Sequence, residues 1–430
     1  MNSKSKWNEL RAMNLAVRNK MKNFKDFIVE AADSKVNLHL THVDEDIFER
    51  GNKGADAAIK SLEDVLHNLG KGTTKLTVKW DGAPAIFAGK DPSDGKFFVG
   101  TKAVFNKNAK LNKTKDDIKA NHQGELAKKL TYALEHFPKI GIPDGTVLQG
   151  DLMFSKGDQK YETIDGKRWI TAHPNTIVYA WESESDVGKK IRKADIGVVW
   201  HTTYKGKGDL STYRASFGVD VFRLKQNSAV WMDDAYFKAG HVAFTEQEGT
   251  YIEGIIRAAK STKGDFNSIA KLMSTLPSGA VGAGVKTFVN SKIRNGELPN
   301  PSTAAKEYLD YVEKYFEDKV VSKVKTDAAK EQKRTMMKQF IQTATNNFRD
   351  LVAAFEFVDL MTKGKVAVIK KLEKINSQKS FVRTKDGFKV TGAEGYVAIN
   401  PTEGEAVKFV DRIAFSHFNF SDKYIKGWQK

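Results

Sequence analysis

The chain has 430 residues, no cysteine and a net charge of +17, and 40% of its residues are hydrophobic. This length and composition are typical of a globular protein with two or three domains. The lack of cysteine excludes disulfides, thiolate catalysis and cysteine-ligated zinc. No run of about eighteen apolar residues is present, and the basic N-terminus lacks the apolar stretch of a secretion signal. We therefore expect no membrane span and a cytoplasmic protein, in the host cytoplasm if the source is a virus.

The 70 lysine and arginine residues exceed the 53 aspartate and glutamate residues. Such a surplus creates a positive field that attracts polyanions, of which nucleic acid is the commonest. The alternative interpretation is a lysine-rich surface that keeps the protein in solution. The charge thus favours a nucleic-acid partner without identifying it, and the sequence leaves the oligomeric state open.

The first part of the chain, residues 1–72, has the apolar spacing of amphipathic helices, with candidates at 8–32 and 56–69. Short segments rich in β-branched and aromatic residues, each bounded by turn residues, come next. They predict strands at 76–79, 85–88, 97–101, 147–154, 176–181, 196–203, 216–224 and 229–232, with one helix at 123–137.

A helical pattern returns after these strands, with helices predicted at 304–324 and 330–361 and a loop rich in glycine, proline and asparagine at 278–302. Strand character then reappears. The last predicted strands are at 380–390, 395–399 and 406–410.

The simplest architecture for this order of elements is α+β. We expect a catalytic domain of antiparallel sheets built from 73–232 and 378–430, interrupted by a helical insertion at 233–377. The helical segment 1–72 precedes it.

The most informative segment is TVKWDGAPAIF at 77–87. Lys79 leaves a predicted strand and enters an Asp-Gly turn, and a second apolar strand follows. Such a turn can hold an amine at the edge of a sheet, where burial or nearby cations lower its pKa enough for nucleophilic attack. An isolated match of this kind is also compatible with an ordinary hairpin.

Four later segments give this lysine a context: FFVGTK at 97–102, VLQGDLMF at 147–154, AEGYVAI at 393–399 and EAVKFV at 405–410. In this order they resemble the motifs of the covalent nucleotidyltransferase superfamily, which comprises the ATP-dependent DNA and RNA ligases and the messenger RNA capping enzymes. The resemblance is closest to a phage-type RNA ligase. It implies the adenylation-domain fold of ligases, which is ATP-grasp-like, and a lysyl-AMP intermediate.

The resemblance also assigns roles to residues. Lys79 would be the nucleophile and Lys408 a phosphate contact in catalysis, while Asp151 and Glu394 would hold Mg²⁺ or Mn²⁺ and ATP would be the nucleotide. The residues that would contact the nucleotide are Asp81, Gly82, Lys102, Asp151, Trp181, Trp200, Glu394 and Arg412.

The chain departs from the family pattern at several of these positions. Asp151 stands where the family usually has glutamate. Val410 stands where many members have a second lysine, and Arg412 is the candidate replacement. Trp181 and Trp200 are alternative candidates for the aromatic ring that stacks on the base, and either ring could instead belong to the core.

The implied activity is that of an ATP-dependent polynucleotide ligase that joins 5′-phosphate to 3′-hydroxyl ends. Because few residues follow Arg412, too few for the β-barrel that DNA ligases and capping enzymes carry there, the sequence favours RNA over DNA. A DNA ligase, or a nucleic-acid-binding protein that keeps the fold without the chemistry, is the alternative. The segment HLTHVDED, with His39 and His42 three positions apart, weakly suggests a metal site.

Overall fold

The computed structural model describes residues 42–68, 75–236, 244–375, 379–400 and 405–427. Its fold is mixed α and β, with sheets that are mainly antiparallel. The helix predicted at 8–32 lies outside the described residues. The α-helices are α1 (Ile47–Arg50), α2 (Asn52–Asn68), α3 (Lys115–Asn121), α4 (Gly124–His136), α5 (Asp186–Lys193), α6 (Glu246–Ser261), α7 (Phe266–Ser274), α8 (Val285–Arg294), α9 (Ala304–Lys319), α10 (Asp327–Asn346), α11 (Phe348–Ile375) and α12 (His417–Phe420).

The strands form three sheets. In chain order the strands are β1 (Lys75–Lys79), β2 (Ala85–Lys90), β3 (Phe97–Gly100), β4 (Thr146–Ser155), β5 (Lys160–Ile164), β6 (Lys167–Ala172), β7 (Ile177–Glu182), β8 (Ile196–Lys205), β9 (Arg214–Phe217), β10 (Val230–Asp234), β11 (Lys379–Thr384), β12 (Gly387–Thr391), β13 (Gly395–Asn400) and β14 (Glu405–Phe409).

Sheet A has the order β1-β13-β14 and joins strands that lie far apart in the chain. Side chains alternate between its faces. The register pairs Thr77 with Val397 and Val397 with Lys408, so these three share one face with Lys79. The residues of the opposite face are Leu76, Tyr396, Ala398, Val407 and Phe409, and they are buried in the core of the helices. One face of sheet A thus carries Lys79 and Lys408, and the other face packs against the helices.

Sheet B has the order β10-β8-β4-β2-β3, and β9 pairs with the second half of β8. One face is buried against α3 and α4 through an apolar cluster that includes Leu152 and Trp200. The other face carries Asp151, which lies opposite Val199 and faces the same space as the polar side of sheet A. The two sheets therefore enclose a cleft.

Sheet C has the order β12-β11-β7-β6-β5, so β11, which follows the helices, pairs with β7, which precedes them, and β12 pairs with β11. Its inner face contributes Tyr179 and Trp181 to a cluster that also contains Trp80 and Val410. This packing supports the chain where it turns after β1. Closure of sheets A and C by late strands is what brings distant motifs together.

The helices before β1 and those between β10 and β11 share one hydrophobic cluster. Leu62 of α2, for example, belongs to the same cluster as buried residues of α6 to α11 and of the opposite face of sheet A. The segments 1–72 and 233–377 are separate in sequence, but their described helices form one body in space. None of the helices in the described residues combines the length and the apolar character needed to cross a membrane.

Most predicted strands are present, and four local differences concern strands, a loop and a helix. The hairpin β5–β6 was not predicted, although Asp165 and Gly166 have the positive φ values of a tight Asp-Gly turn between its strands. The region 380–390 is a hairpin rather than one strand, and the expected loop at 278–302 contains α8. The helix expected at 330–361 is divided into α10 and α11, which meet at Asn347.

Candidate active site

Lys79 is the last residue of β1, and its side chain lies at the mouth of the cleft. The register of sheet A pairs Lys79 with Gly395, which places the preceding residue, Glu394, beside it. The Lys79 ammonium and the Glu394 carboxylate form an ion pair. Burial lowers the pKa of Lys79, but the Glu394 carboxylate outweighs burial and holds this pKa above its usual value. In this state the amine is protonated and held in place.

Asp81 fixes the turn that follows Lys79. Its carboxylate accepts hydrogen bonds from the Asn175 side chain at 2.6 Å and from the backbone N–H groups of Thr176 and Ile177 at 2.7 and 2.9 Å. Its own backbone N–H donates to the Tyr179 hydroxyl at 2.6 Å. The expectation that Asp81 contacts the nucleotide is therefore corrected, because its carboxylate is committed to the start of β7.

Gly82 lets the turn approach strand β4. A Cβ atom at this position would lie 2.5 Å from the Asp151 Cβ and 3.1 Å from its carbonyl carbon. Any side chain here would push Asp151 or the turn away. Gly82 thus serves the site by close packing, which keeps Asp151 near Lys79.

Asp151 and Glu394 both lie near Lys79 and near each other. Burial raises the pKa of each to about 7, against the opposing effect of the Lys79 charge. A carboxylate is costly in such a place unless a cation joins it. The two acids therefore favour binding of a positive charge.

The fit to a metal ion depends on what else would supply ligands. In the described part of the chain, no group of three or more histidine, aspartate or glutamate side chains is arranged to hold a metal. Mg²⁺ commonly takes only one or two carboxylates from the protein when substrate phosphates complete its shell. Asp151 and Glu394 fit a metal ion that arrives with a nucleotide.

Lys408 lies on the same face of sheet A as Lys79, two strands away. Burial, and after it the positive charge of Lys79, lowers the pKa of Lys408 to about 8. Within the described residues its ammonium has no ion-pair partner. The structure thus places the two predicted catalytic lysines together.

The inner end of the cleft is apolar. Thr77, Val199, Ala235, Val397 and Ile399 line it, and Phe217 of β9 adds an aromatic ring. Lys79 and Asp151 lie at the same cavity, so a flat apolar group bound inside would present its polar end to them.

The two tryptophans proposed for the base lie elsewhere. Trp200 is fully buried on the helix side of sheet B, where it packs against Phe137 with ring centroids 5.2 Å apart. Trp181 is buried against Trp231, at 5.5 Å. Neither lines the cleft. Both predictions are therefore corrected. Trp200 belongs to the core between sheet B and the helices, and Trp181 of sheet C belongs to the core on the other side of sheet B.

His201 was not predicted and enters the cleft through a β-bulge. Gln149 pairs with Thr202 and Gly150 with Trp200, so His201 is an extra residue with no partner on β4. Its Nε2 lies 3.7 Å from an Asp151 oxygen and its Nδ1 2.8 Å from the Thr202 hydroxyl. Burial, followed by the Lys79 charge, lowers its pKa to about 4, so the ring is neutral at neutral pH.

Lys102 lies at the same end of sheet B as the cleft. Gly100 pairs with Phe87, and Thr101 continues in an extended conformation, so Lys102 comes level with Ala85, the partner of Asp151. Its side chain is exposed. This position allows the predicted ribose contact only across the intervening strand β2.

Arg412 does not face the cleft. Its guanidinium forms an ion pair with Glu45 and donates to the side-chain oxygen of Asn290 on α8. The side chain is only 6% exposed. The expectation that Arg412 replaces the missing second lysine is therefore corrected, since both of these bonds are made within the protein.

Arg412 belongs to a buried group of charged side chains that we call the Arg412 network: His42, Asp44, Glu45, Lys365 and Arg412. Lys365 donates to Asp44 at 2.7 Å, and both are almost fully buried. Burial lowers the pKa of His42 well below its usual value. The Asp44 charge opposes this effect, and the charges of Lys365, Lys408 and Arg412 add to it. Three cations around one histidine disfavour the metal site suggested by HLTHVDED, whose other histidine, His39, lies outside the described residues.

Comparison with family models gives one relevant match, to a family of unknown function, DUF6267, over residues 37–424. The match spans most of the chain and covers both the cleft and the helical body. The chain belongs to the DUF6267 family. Comparison with curated proteins and with solved structures gave no match.

In this DUF6267 chain, sequence reasoning missed the residues that shape the apolar end of the cleft. The strand predicted at 395–399 is nearly correct, whereas the strand predicted at 216–224 ends at Phe217. In neither case does the sequence state which face of the strand is open. The orientation of His201 into the cleft depends on a β-bulge, and no local sequence pattern predicts that bulge. Only the alternation around Lys408 and Val397 could have indicated which residues of sheet A face the same side as Lys79.

Proposed function

We propose that this protein is an ATP-dependent polynucleotide ligase that works through a Lys79–AMP intermediate. The observation that carries the proposal is the arrangement in the cleft: Lys79 lies beside Glu394 and near Asp151 and Lys408, in front of an apolar slot. These groups come from motifs far apart in the sequence. The resemblance of those motifs to ligases and the net charge of +17 support the same conclusion.

In the first step the Lys79 amine attacks the α-phosphorus of ATP. Lys79 first gives one proton to solvent. As the neutral amine attacks, a phosphorus–nitrogen bond forms, the bond between the α-phosphorus and the bridging oxygen breaks, and pyrophosphate leaves with that oxygen. The nitrogen gives a second proton to solvent and keeps one N–H in the lysyl-AMP intermediate. A Mg²⁺ or Mn²⁺ ion at Asp151 and Glu394 would neutralise charge on the phosphates. Once Glu394 is engaged there, the contact that raises the pKa of Lys79 is lost, and burial then favours the neutral amine.

The remaining residues act by position. Lys408 offers its charge to the phosphate on which negative charge develops. Phe217 and the aliphatic residues opposite it would hold the base. AMP then passes to a 5′-phosphate, and a 3′-hydroxyl displaces it to seal the strand. RNA is the strand that we propose first, on the resemblance to RNA ligases.

The test is incubation of the full chain with labelled ATP, GTP or NAD and Mg²⁺, followed by mapping of any label. A label from ATP on Lys79 is expected. Sealing of nicked RNA and nicked DNA is compared next at equal concentrations. No covalent label from any nucleotide would overturn the proposal, and preference for DNA would replace RNA by DNA as the strand.

The second candidate is a nucleotide- or nucleic-acid-binding protein without covalent chemistry. The observation that favours it is the position of Arg412, which leaves Lys408 as the one cation of β14 and its following turn that faces the cleft among the described residues. Saturable ATP or RNA binding together with no adduct would select this candidate.

A further inference from the structure

A row of three lysines runs from the nucleophile to the helical body. Lys79 and Lys408 share the cleft face of sheet A, and the charge of Lys286, on α8, acts on Lys408 in addition to that of Lys79. Lys79 is paired with Glu394, whereas Lys408 has no ion-pair partner among the described residues. Like charges repel, so anions that lie along such a row stabilise it. Glu394 and Glu49 do so for Lys79 and Lys286, and a bound anion would do so for Lys408.

The position of Lys286 is set by two contacts. Lys286 forms an ion pair with Glu49 of α1, the short helix that follows His42, and the backbone of His42 bridges to Lys408. Asn290, one turn later on the same face of α8, bonds to Arg412, four residues after Lys408. The first turn of α8 thus lies beside the end of β14, on the side away from Lys79.

We propose that Lys286, with Lys408, forms the subsite for the β- and γ-phosphates of ATP and for the pyrophosphate that leaves. The inference rests on the proposed function for its role in the reaction. With the α-phosphate between Lys79 and Lys408, the next two phosphates extend towards Lys286. The N-cap of α8 is Gly284, which supplies no side-chain cap, so the N–H groups of the first turn add a favourable field for an anion.

Glu49 gives this subsite a second property. In the absence of nucleotide, Glu49 occupies the Lys286 ammonium, so pyrophosphate must compete with it. Removing the charge of Glu49 is therefore expected to strengthen anion binding, whereas removing Lys286 weakens it. A purely structural role of this exposed pair would give the same direction for both changes.

The experiment is calorimetric titration of the full chain with magnesium pyrophosphate. Lys286→Ala is expected to weaken binding roughly tenfold or more, the loss of one hydrogen bond to a charged group. Lys286→Arg should retain most of the affinity, and Glu49→Gln should bind more tightly than the wild type. The matched control is Lys292→Ala, on the same helix, whose ammonium pairs with Glu307 at 2.5 Å, and it should bind as the wild type does.

The inference is overturned if the wild type does not bind pyrophosphate, if Lys286→Ala binds it as well as the wild type, or if Glu49→Gln weakens binding. Thermal unfolding of each variant checks that the fold is retained. Adduct formation is measured in parallel and separates the two proposals. Pyrophosphate binding in the expected order without a Lys79 adduct would sink the ligase and keep the anion subsite; an adduct with unchanged pyrophosphate binding would do the reverse.

Discussion

The cleft and the Arg412 network lie close together around β14, and both mix acids and bases. In the network, Arg412 is matched by Glu45 and Lys365 by Asp44. In the cleft, Asp151 has no ion pair with a lysine or arginine among the described residues, and Lys408 has no ion pair at all there. In the network the acids and bases are matched within the protein, which indicates a structural role. The cleft combines one pair, Lys79 and Glu394, with the unmatched Asp151 and Lys408, and unmatched charges in a cleft indicate a ligand.

The energetic reason is the cost of removing an ion from water. A buried pair recovers this cost through its partner, and loss of one partner leaves the other charge exposed to the full penalty. An unpaired group has no such partner in the free protein. Its pKa therefore shifts towards the neutral form, and a ligand of opposite charge binds there favourably. The opposite pKa shifts of Asp44 and Asp151 follow this difference: the Lys365 charge outweighs burial and lowers the first, and burial raises the second.

The largest effect is expected at Lys79. Lys79→Ala and Lys79→Arg should both abolish the adduct with ATP, because neither side chain offers a neutral primary amine. Stability should change by no more than about 1 kcal/mol, since the side chain is partly exposed. Gel analysis of labelled protein and urea unfolding measure the two quantities.

The matched variant is Lys90→Ala, which removes an exposed lysine at the end of β2 that pairs with Asp144. It should form the adduct at the wild-type rate. Label retained by Lys79→Ala would show that another residue is the nucleophile and would remove the cleft from the mechanism.

The second effect concerns the network and stability alone. Asp44→Ala leaves Lys365 buried without its carboxylate, so we expect a loss of about 3–5 kcal/mol in the free energy of unfolding. The control is Glu317→Ala, which breaks the exposed pair with Arg334 and should cost at most about 1 kcal/mol. Equal losses, measured by urea denaturation, would contradict the distinction between the two regions.

The sequence predicted the strand that ends at Lys79 and the turn that follows it, because Lys79, the turn and β2 are local features. It also predicted Glu394 and Lys408 through short motifs, and the register of sheet A places both near Lys79. It could not show that Arg412 is tied to Glu45 and Asn290. Those partners lie 367 and 122 positions away in the chain, and a local sequence pattern does not show which distant segments pair.

Gly82→Ala should have an intermediate effect on both quantities. The added methyl group would collide with Asp151, so we expect a loss of about 1–3 kcal/mol in stability and a clear fall in adduct formation. Gly249→Ala is the control, because no atom lies within 4 Å of its Cβ position in helix α6. This helical substitution should stabilise by up to about 1 kcal/mol. Full activity of Gly82→Ala would show that Asp151 tolerates displacement.

Phe217→Ala should weaken ATP binding with little effect on the fold. An aromatic ring stacked on a base contributes about 1–3 kcal/mol, so the half-saturating ATP concentration should rise roughly 5- to 100-fold. Trp181→Phe is the matched change at one of the two rings that the sequence offered for the base, and it should leave that concentration unchanged. The reverse result would restore Trp181 as the base contact.

The sequence offered Trp181 and Trp200 as the aromatic ring of the cleft, but Phe217 lines it instead, and this difference shows a general limit of sequence reasoning. All three residues lie in or at the end of a strand, and the alternation of a strand shows that faces differ but not which face is open. That depends on α4 covering one side of sheet B and sheet A facing the other. The bulge at His201 then reverses the alternation along β8.

The smallest effect is the pH dependence of stability. The pKa of Asp151 is about 7 in the folded protein and near its usual lower value when unfolded, so between pH 5 and 7 the folded state binds more protons. Ionisation of this group therefore lowers stability as the pH rises through that window. Asp151→Asn should remove this contribution, so the variant should gain stability relative to the wild type between pH 5 and 7.

Comparison of the variant with the wild type cancels the groups that do not interact with Asp151. Glu394 contributes to the difference, because the Asp151 charge raises its pKa. Glu317→Gln is the control, because the hydrogen bond from Arg334 lowers the pKa of Glu317, whereas burial raises that of Asp151. Its unfolding free energy should run parallel to that of the wild type. Magnesium and ATP should flatten the wild-type slope if they bind the ionised acids. A slope unchanged by Asp151→Asn would mean that this carboxylate is already neutralised within the protein, and the cleft would then resemble the Arg412 network rather than contrast with it.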